Sequence, residues 1–252
     1  MARMSNLNLR VGVLAAISAV AVVALFFVGP IPQDPNYHLF ADARRMLGIA
    51  NFWNVVSNIP FVVVGAFGIM RFSRLAQPET SDGYFVMCLG VLLVGFGSAY
   101  YHLAPSNESL LWDRLPMTVA FMALLSLLLG ERVTQSYHRS YLWLLVAAGV
   151  GSAVYWSWTE RAGQGDLRPY ALVQFLPIIL MPLIILMFRT KYLSNTLLFS
   201  AFSLYFVAKA LEQFDAQVFS ALGFMGGHAI KHIAAAAAVL CIVCAVPTRQ
   251  SR

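Results

Sequence analysis

Long, mostly apolar stretches recur along the chain, and short polar connections separate them. A helix needs about 20 predominantly apolar residues to cross the hydrocarbon core of a membrane. Stretches of that length predict helices here, because strand-like alternation of apolar and polar positions is absent from them. Eight spans are predicted, near residues 11–29, 50–70, 84–104, 115–131, 140–158, 169–188, 194–211 and 225–246.

Composition favours a membrane protein over other classes. Of 252 residues, 60% are hydrophobic and 11% are charged, whereas about 25% are charged in an average soluble domain. A soluble globule has too small a core for so much apolar surface, and a disordered chain would carry far more charge. Three cysteines also exclude a disulfide-rich secreted module. The predicted fold class is an all-α integral membrane protein.

The formal net charge of +6 indicates membrane orientation rather than nucleic-acid binding. With the N-terminus inside, the predicted inner segments hold ten Lys and Arg residues and the outer segments hold five. This asymmetry follows the positive-inside rule. We therefore expect a multi-pass protein with both termini in the cytoplasm and no nucleic-acid partner.

Residues 1–33 predict an anchor helix or a signal segment. Arg3 and Arg10 precede a long uncharged stretch, which is typical of either. The stretch is long for a cleaved signal and lacks a clear cleavage site, so an uncleaved anchor is the preferred interpretation. The remaining residues, 34–252, are expected to form the main transmembrane domain.

Five side chains stand out because polar and ionisable groups are costly inside membrane helices and commonly mark function. His228 and His232 are four residues apart at the start of the last span, so a helix places both imidazoles on one face. Ser98 and His102 have the same spacing near the end of the third span, and Asp113 lies just before the fourth. Alternating spans would bring all five to one level in the outer half of the membrane.

This convergence predicts a metal site with catalytic groups beside it. Three histidines and an open fourth position are typical of catalytic zinc, which brings the pKa of its bound water towards about 7. Asp113 would carry the proton of that water, and Ser98 would donate a hydrogen bond to a developing oxyanion. Hydrogen bonding between helices is the simpler explanation for any one of these residues, but the five together favour the metal site.

Four segments of the chain form a recognisable set of motifs: SAYYH at 98–102, DRLPM at 113–117, GHAIKH at 227–232 and NFWNVVSN at 51–58. Together they resemble the alkaline ceramidase family, which belongs to a superfamily of seven-helix membrane hydrolases that also includes the progestin and adipoQ receptors. The resemblance extends over about residues 34–245. It implies a seven-transmembrane helix bundle, to which the helix near 11–29 is an extra N-terminal element.

The resemblance also implies an activity. Zinc would be held by His102, His228 and His232, and Ser98 and Asp113 would assist hydrolysis of the amide bond of ceramide to a fatty acid and a sphingoid base. The expected partner is a membrane lipid, and no protein partner is implied.

Calcium is a second cofactor that the resemblance raises. Alkaline ceramidases bind calcium through an acidic segment and a Glu in the first family helix, and here Asn51 stands at the position of that Glu. The oxygen donors available to Ca²⁺ are Asp34, Asn36, Asp42 and Asn51. With fewer carboxylates a weaker site is expected, and a solvated loop with a helix cap is the preferred interpretation.

Three alternatives stay open. The chain would be a lipid-binding receptor like the adipoQ receptors, although its short tails leave little room for a signalling domain. The second alternative is a hydrolase of another N-acyl lipid, and the third is a transporter with an ion path.

A bacterial inner membrane is favoured over a eukaryotic endomembrane, with the active site towards the extracytoplasmic side. Lys231 is expected to extend to the outer interface, away from the histidines, and contact with the substrate is the alternative.

Overall fold

The computed structural model describes residues 2–77, 81–134 and 138–249, with side chains throughout except for residues 2–6 and 138. Helices dominate these ranges, and no strand occurs in them apart from isolated bridges such as Met46 with Ile49. The helices are α1 (Ala2–Ala24), α2 (Phe52–Val56), α3 (Ile59–Phe72), α4 (Ser81–Leu103), α5 (Asn107–Arg132), α6 (His138–Arg161), α7 (Arg168–Met187), α8 (Asn195–Gln213), α9 (Asp215–Leu222) and α10 (Gly227–Ala245).

Seven stretches of the described chain are long and apolar enough to cross a membrane. One of them, Phe52–Phe72, combines α2 and α3, while α8 and α9 form an eighth candidate that bends by 82°. Each of the eight predicted spans overlaps one of these stretches. The predicted all-helical membrane bundle is therefore confirmed.

The first span after the N-terminal helix is broken between α2 and α3. Pro60 has no backbone N–H and disfavours helical geometry in the residue before it. Ser57 and Asn58 lie in the break, where the Asn58 side-chain amide donates to the Asn54 carbonyl at 2.7 Å. At this break the Ser57 hydroxyl donates to the Asn54 carbonyl of its own helix at 3.3 Å and also reaches His232 on α10.

Helices α4 and α5 pack closely at the end of the bundle where α4 ends and α5 and α10 begin, which we call the site end. A Cβ atom on Gly97 would collide with the carbonyl oxygen of Trp112. Only glycine therefore permits this approach between the two helices. On the other side of the bundle, α8 packs chiefly on α10, whereas α7 packs on α5, α6 and α1.

Helix α1 lies antiparallel along α7. Its Arg10 donates to the carbonyl of Met187 at the opposite end of the bundle. At the site end, the Arg168 guanidinium donates to the carbonyl of Leu25 at 3.1 Å. Most described α1 side chains face outwards, although Leu14 is buried.

The connection after α1 crosses the site end and covers it. The carbonyl of Ile31 accepts a hydrogen bond from the Leu167 N–H at 2.8 Å. Farther along, the ring of Phe40 lies 4.8 Å from that of His102 and 4.5 Å from that of His228, between centroids. An aromatic side chain thus shields two of the candidate ligands from the site end.

Candidate metal centre and active-site cavity

The three histidines predicted to bind metal form one buried cluster. Ligand atoms of His102, His228 and His232 all lie within 4.8 Å of one another. The Nε2 atoms of His102 and His228 are 3.4 Å apart. In the described part of the chain, this is the one group of three or more His, Cys, Asp or Glu residues with such spacing.

Two helices and one carboxylate place these histidines. His102 lies in the last turn of α4, and the other two are one turn apart at the start of α10. Asp215 holds that start, because its Oδ1 accepts the backbone N–H of His228 at 2.8 Å while its Oδ2 accepts that of Ala41 at 2.9 Å. A Cβ on Gly227 would collide with the carbonyl of Leu211, so glycine lets α10 begin directly against α8.

The ring nitrogens of the cluster fit a bound metal ion. Nδ1 of His232 is 2.8 Å from the Ser57 hydroxyl, which leaves Nε2 of that ring for a ligand role. A hydrogen bond to the far nitrogen is typical of metal-binding histidines, because it fixes the tautomer and the ring orientation. The three imidazoles are buried, and not all of their ring nitrogens have a hydrogen-bond partner. Such a set of nitrogen donors suits Zn²⁺ and other transition metals.

Ser98 and Asp113 lie together beside the cluster. The Ser98 hydroxyl lies close enough to the Asp113 carboxylate, across the α4–α5 contact, to interact with it. The close approach at Gly97 positions this contact, since Gly97 and its partner Trp112 each directly precede one of the two residues. The five predicted site residues therefore occupy one region, while their chemical roles stay predictions.

A single cavity connects Ser98, Asp113 and His232 with the apolar interior. Its lining comes from α3, α4, α5, α7, α8 and α10 and the Tyr37 side chain, and it extends past Leu128 towards Ile242 at the opposite end. Most of this lining is apolar, with polar side chains concentrated at the site end. Such a cavity suits a molecule with a polar group and long hydrocarbon chains.

Comparison with known protein families shows to which family the chain is related. A family model described as Ceramidase matches residues 45–250, which include all three histidines and the Ser98–Asp113 pair. The chain belongs to the Ceramidase family. The resemblance in the short motifs is thereby confirmed over most of the chain.

Two curated relatives of this Ceramidase family member carry related names. Alkaline ceramidase 3 of Mus musculus is 34% identical over 71 residues, 28% of this chain and 26% of the relative. Alkaline ceramidase of Drosophila melanogaster is 29% identical over 108 residues, 41% of this chain and 38% of the relative. The chain thus matches well under half the length of either.

The oxygen donors considered for calcium in this ceramidase-family chain have partners within the protein. Asp34 accepts the N–H of Asn36 at 2.9 Å, and Asn51 donates to the carbonyl of His102 at 2.8 Å. Asp42 is buried and accepts two hydrogen bonds from the Arg44 guanidinium, which lower the pKa of its carboxyl group. Arg44 thus balances the charge of Asp42, and calcium binding stays the less favoured of the two expectations.

The sequence did not indicate two polar neighbours of the site. Ser57 contacts His232, and a proline three residues later was the available sign of a helix break at this position. Glu212 lies at the site end of α8 and bonds to Lys231. Lys231 differs from its expected position, because it lies in the cavity wall rather than extending away from the histidines.

Proposed function

We propose that this protein is a zinc-dependent hydrolase that cleaves the amide bond of ceramide-like lipids within the membrane. The observation that carries the proposal is the placement of a three-histidine cluster and a Ser–Asp pair at the polar end of one long apolar cavity. The ceramidase names of the relatives support the same chemistry. His102, His228 and His232 would hold the metal.

Zinc bound in such a site polarises a carbonyl group and makes water a stronger acid. Asp113 takes the proton of the attacking water and passes it to the amine nitrogen as the C–N bond breaks. The products are a carboxylic acid and a free amine, so every proton is accounted for.

Ser98 has two successive tasks in this proposal. Its hydroxyl has one proton, which it donates to the charged Asp113 before reaction and which keeps the carboxylate in place. Once Asp113 is protonated, that residue donates to the Ser98 oxygen instead. The Ser98 proton is then free to stabilise the oxyanion of the tetrahedral species.

The membrane orientation belongs to the same proposal. The site end would face the extracytoplasmic side, and the Arg-rich opposite end would face the cytoplasm of a bacterial cell. A ceramide amide lies near the headgroup level while both chains occupy hydrocarbon, which matches a cavity that is polar at one end and apolar beyond it.

The test uses purified protein in detergent with fluorescent ceramide, before and after chelation, together with metal analysis. We expect release of fatty acid, its loss on chelation and its recovery when Zn²⁺ is restored. His232→Ala should lose both the metal and turnover. Full turnover by this variant, or ceramide binding without hydrolysis by metal-loaded protein, would contradict the proposal, and the second result would favour a receptor.

A further inference from the structure

A charged cluster lines the cavity close to the histidines and has no role in the steps above. Lys231, on α10 between two histidines, donates to Oε1 of Glu212 on α8 at 2.6 Å. Glu212 also pairs with Lys209, one turn earlier on α8. All three residues line the cavity, and the side chains of Lys231 and Glu212 are only 17% and 21% exposed.

This cluster has unused hydrogen-bond donors. An ammonium group offers three N–H bonds, and among the described residues the Lys231 ammonium donates to Glu212 alone. The second lysine leaves the cluster with one more positive than negative charge. Lys231 is therefore able to donate to an oxygen atom of a molecule in the cavity without releasing Glu212.

The position of Lys231 relates it to the reacting bond. Its neighbour in sequence is the candidate ligand His232, and it is close enough to Asp113 to interact with it electrostatically. A substrate amide placed between Asp113 and the histidines would have its nearest substituents beside Lys231. Those substituents are the first carbons of the amine half or the acyl half of the lipid.

Packing alone does not account for the cluster. Removing charges from water is costly for each ion, and a pair of apolar side chains commonly joins two helices as well or better. Helices α8 and α10 already meet closely at Gly227 and Leu211. A charged group in such a wall is a candidate for ligand recognition.

We propose that Lys231, oriented by Glu212, binds a hydroxyl group next to the scissile amide in the amine half of the substrate. This inference rests on the proposed amidase function and narrows the range of substrates expected for it. The enzyme prefers amide lipids with a hydroxyl within one or two carbons of the nitrogen over amides with plain alkyl chains. Lys209 pairs with the other carboxylate oxygen of Glu212 and makes no contact with the substrate, so the bond between Lys231 and Glu212 does not depend on it.

Two substrates test the inference: N-palmitoyl sphingosine, which has such hydroxyls, and N-palmitoyl octadecylamine, which has the same amide and two long chains but no hydroxyl. A hydrogen bond from a charged donor corresponds to a factor of about ten to one hundred in binding. We expect wild type to prefer the hydroxylated lipid by such a factor in kcat/KM, mainly through KM. Lys231→Met should remove the preference, and Lys231→Arg should keep most of it.

The matched control is Lys209→Met, which removes an ammonium from the same carboxylate and should keep the preference. Binding is measured separately in the Asp113→Asn background as the rise in Tm caused by each lipid, and Lys231→Met should abolish the difference between them. Equal loss of kcat/KM for both lipids in Lys231→Met would show a structural role and overturn the inference. Equal turnover of both lipids by wild type would overturn the role of Lys231 and leave the proposed amidase function standing. No turnover of either lipid would overturn both the role of Lys231 and the amidase function.

Discussion

At the residue scale, the least expected contact of the candidate metal centre is the hydrogen bond between Ser57 and Nδ1 of His232. Loss of such an outer partner typically costs about 10–100-fold in metal affinity. Ser57→Ala should therefore weaken zinc binding by that factor while the bundle stays folded. Competition with a chromogenic chelator measures it.

The matched control for this substitution is Ser203→Ala. Ser203 is exposed on α8, and within the described ranges it bonds only to the carbonyl of Phe199 in its own helix. Its loss should leave zinc affinity unchanged. Equal zinc affinity in Ser57→Ala and wild type would show that packing against Phe61, rather than the hydroxyl, orients the His232 ring.

Individual site residues differ in how well the sequence predicts them. Histidines at 228 and 232 are recognisable because helical spacing alone places them on one face. Ser57 is not recognisable in this way, because its direction depends on a helix break that hydropathy does not record. Lys231 is ambiguous from sequence, since a long flexible side chain reaches either the interface or a cavity and only its partner Glu212 decides between them.

At the element scale, the contact between α4 and α5 determines whether Ser98 reaches Asp113. Gly97→Ala adds a methyl group that collides with the Trp112 carbonyl, and backbone atoms have little freedom to yield. We expect the helices to separate, with loss of most turnover and a clear fall in Tm. Activity and thermal unfolding are measured on the same sample.

Gly151→Ala is the control for that substitution. Gly151 is an exposed helical glycine on α6, and a Cβ there meets nothing within 4 Å. Because alanine favours a helix by about 1 kcal/mol over glycine, this variant should be as stable as wild type or slightly more. Unchanged activity in Gly97→Ala would mean that the Ser98–Asp113 contact tolerates a wider helix spacing than we infer.

The existence of the helices follows from sequence more directly than their irregularities do. Length and hydropathy predict a span, because every backbone polar group in lipid needs an internal partner. The same rule does not predict where a helix bends, as the 82° bend between α8 and α9 illustrates. That bend brings Asp215 to the start of α10, so a feature without a hydropathy signature helps to fix the candidate metal ligands.

At the scale of the whole molecule, alternating spans predict the convergence of five distant residues because the connections are short. The direction of each helix then follows from that of its neighbour, so the position of a residue in the chain predicts its depth in the membrane. The cavity cannot be predicted in this way. It depends on α8 packing on α10 while α7 packs on α5 and α6, and pairwise helix packing is not encoded in hydropathy.

The proposed metal ion should also stabilise the whole bundle, because its candidate ligands come from α4 and α10, which lie far apart in sequence. A ligand that binds only the folded protein at 100 times its Kd adds about 2.7 kcal/mol, which corresponds to a rise in Tm of roughly 5–10 °C for a chain of this size. Chelation should lower the Tm of wild type by this amount and leave that of His102→Ala unchanged.

His38→Gln is the control, since His38 bonds to Tyr101 and Asn107 and lies outside the cluster. This variant should keep the full response to chelation. A chelation-dependent shift of the same size in His102→Ala would show that the stabilising ion binds elsewhere, and the two helices would then be joined by packing alone.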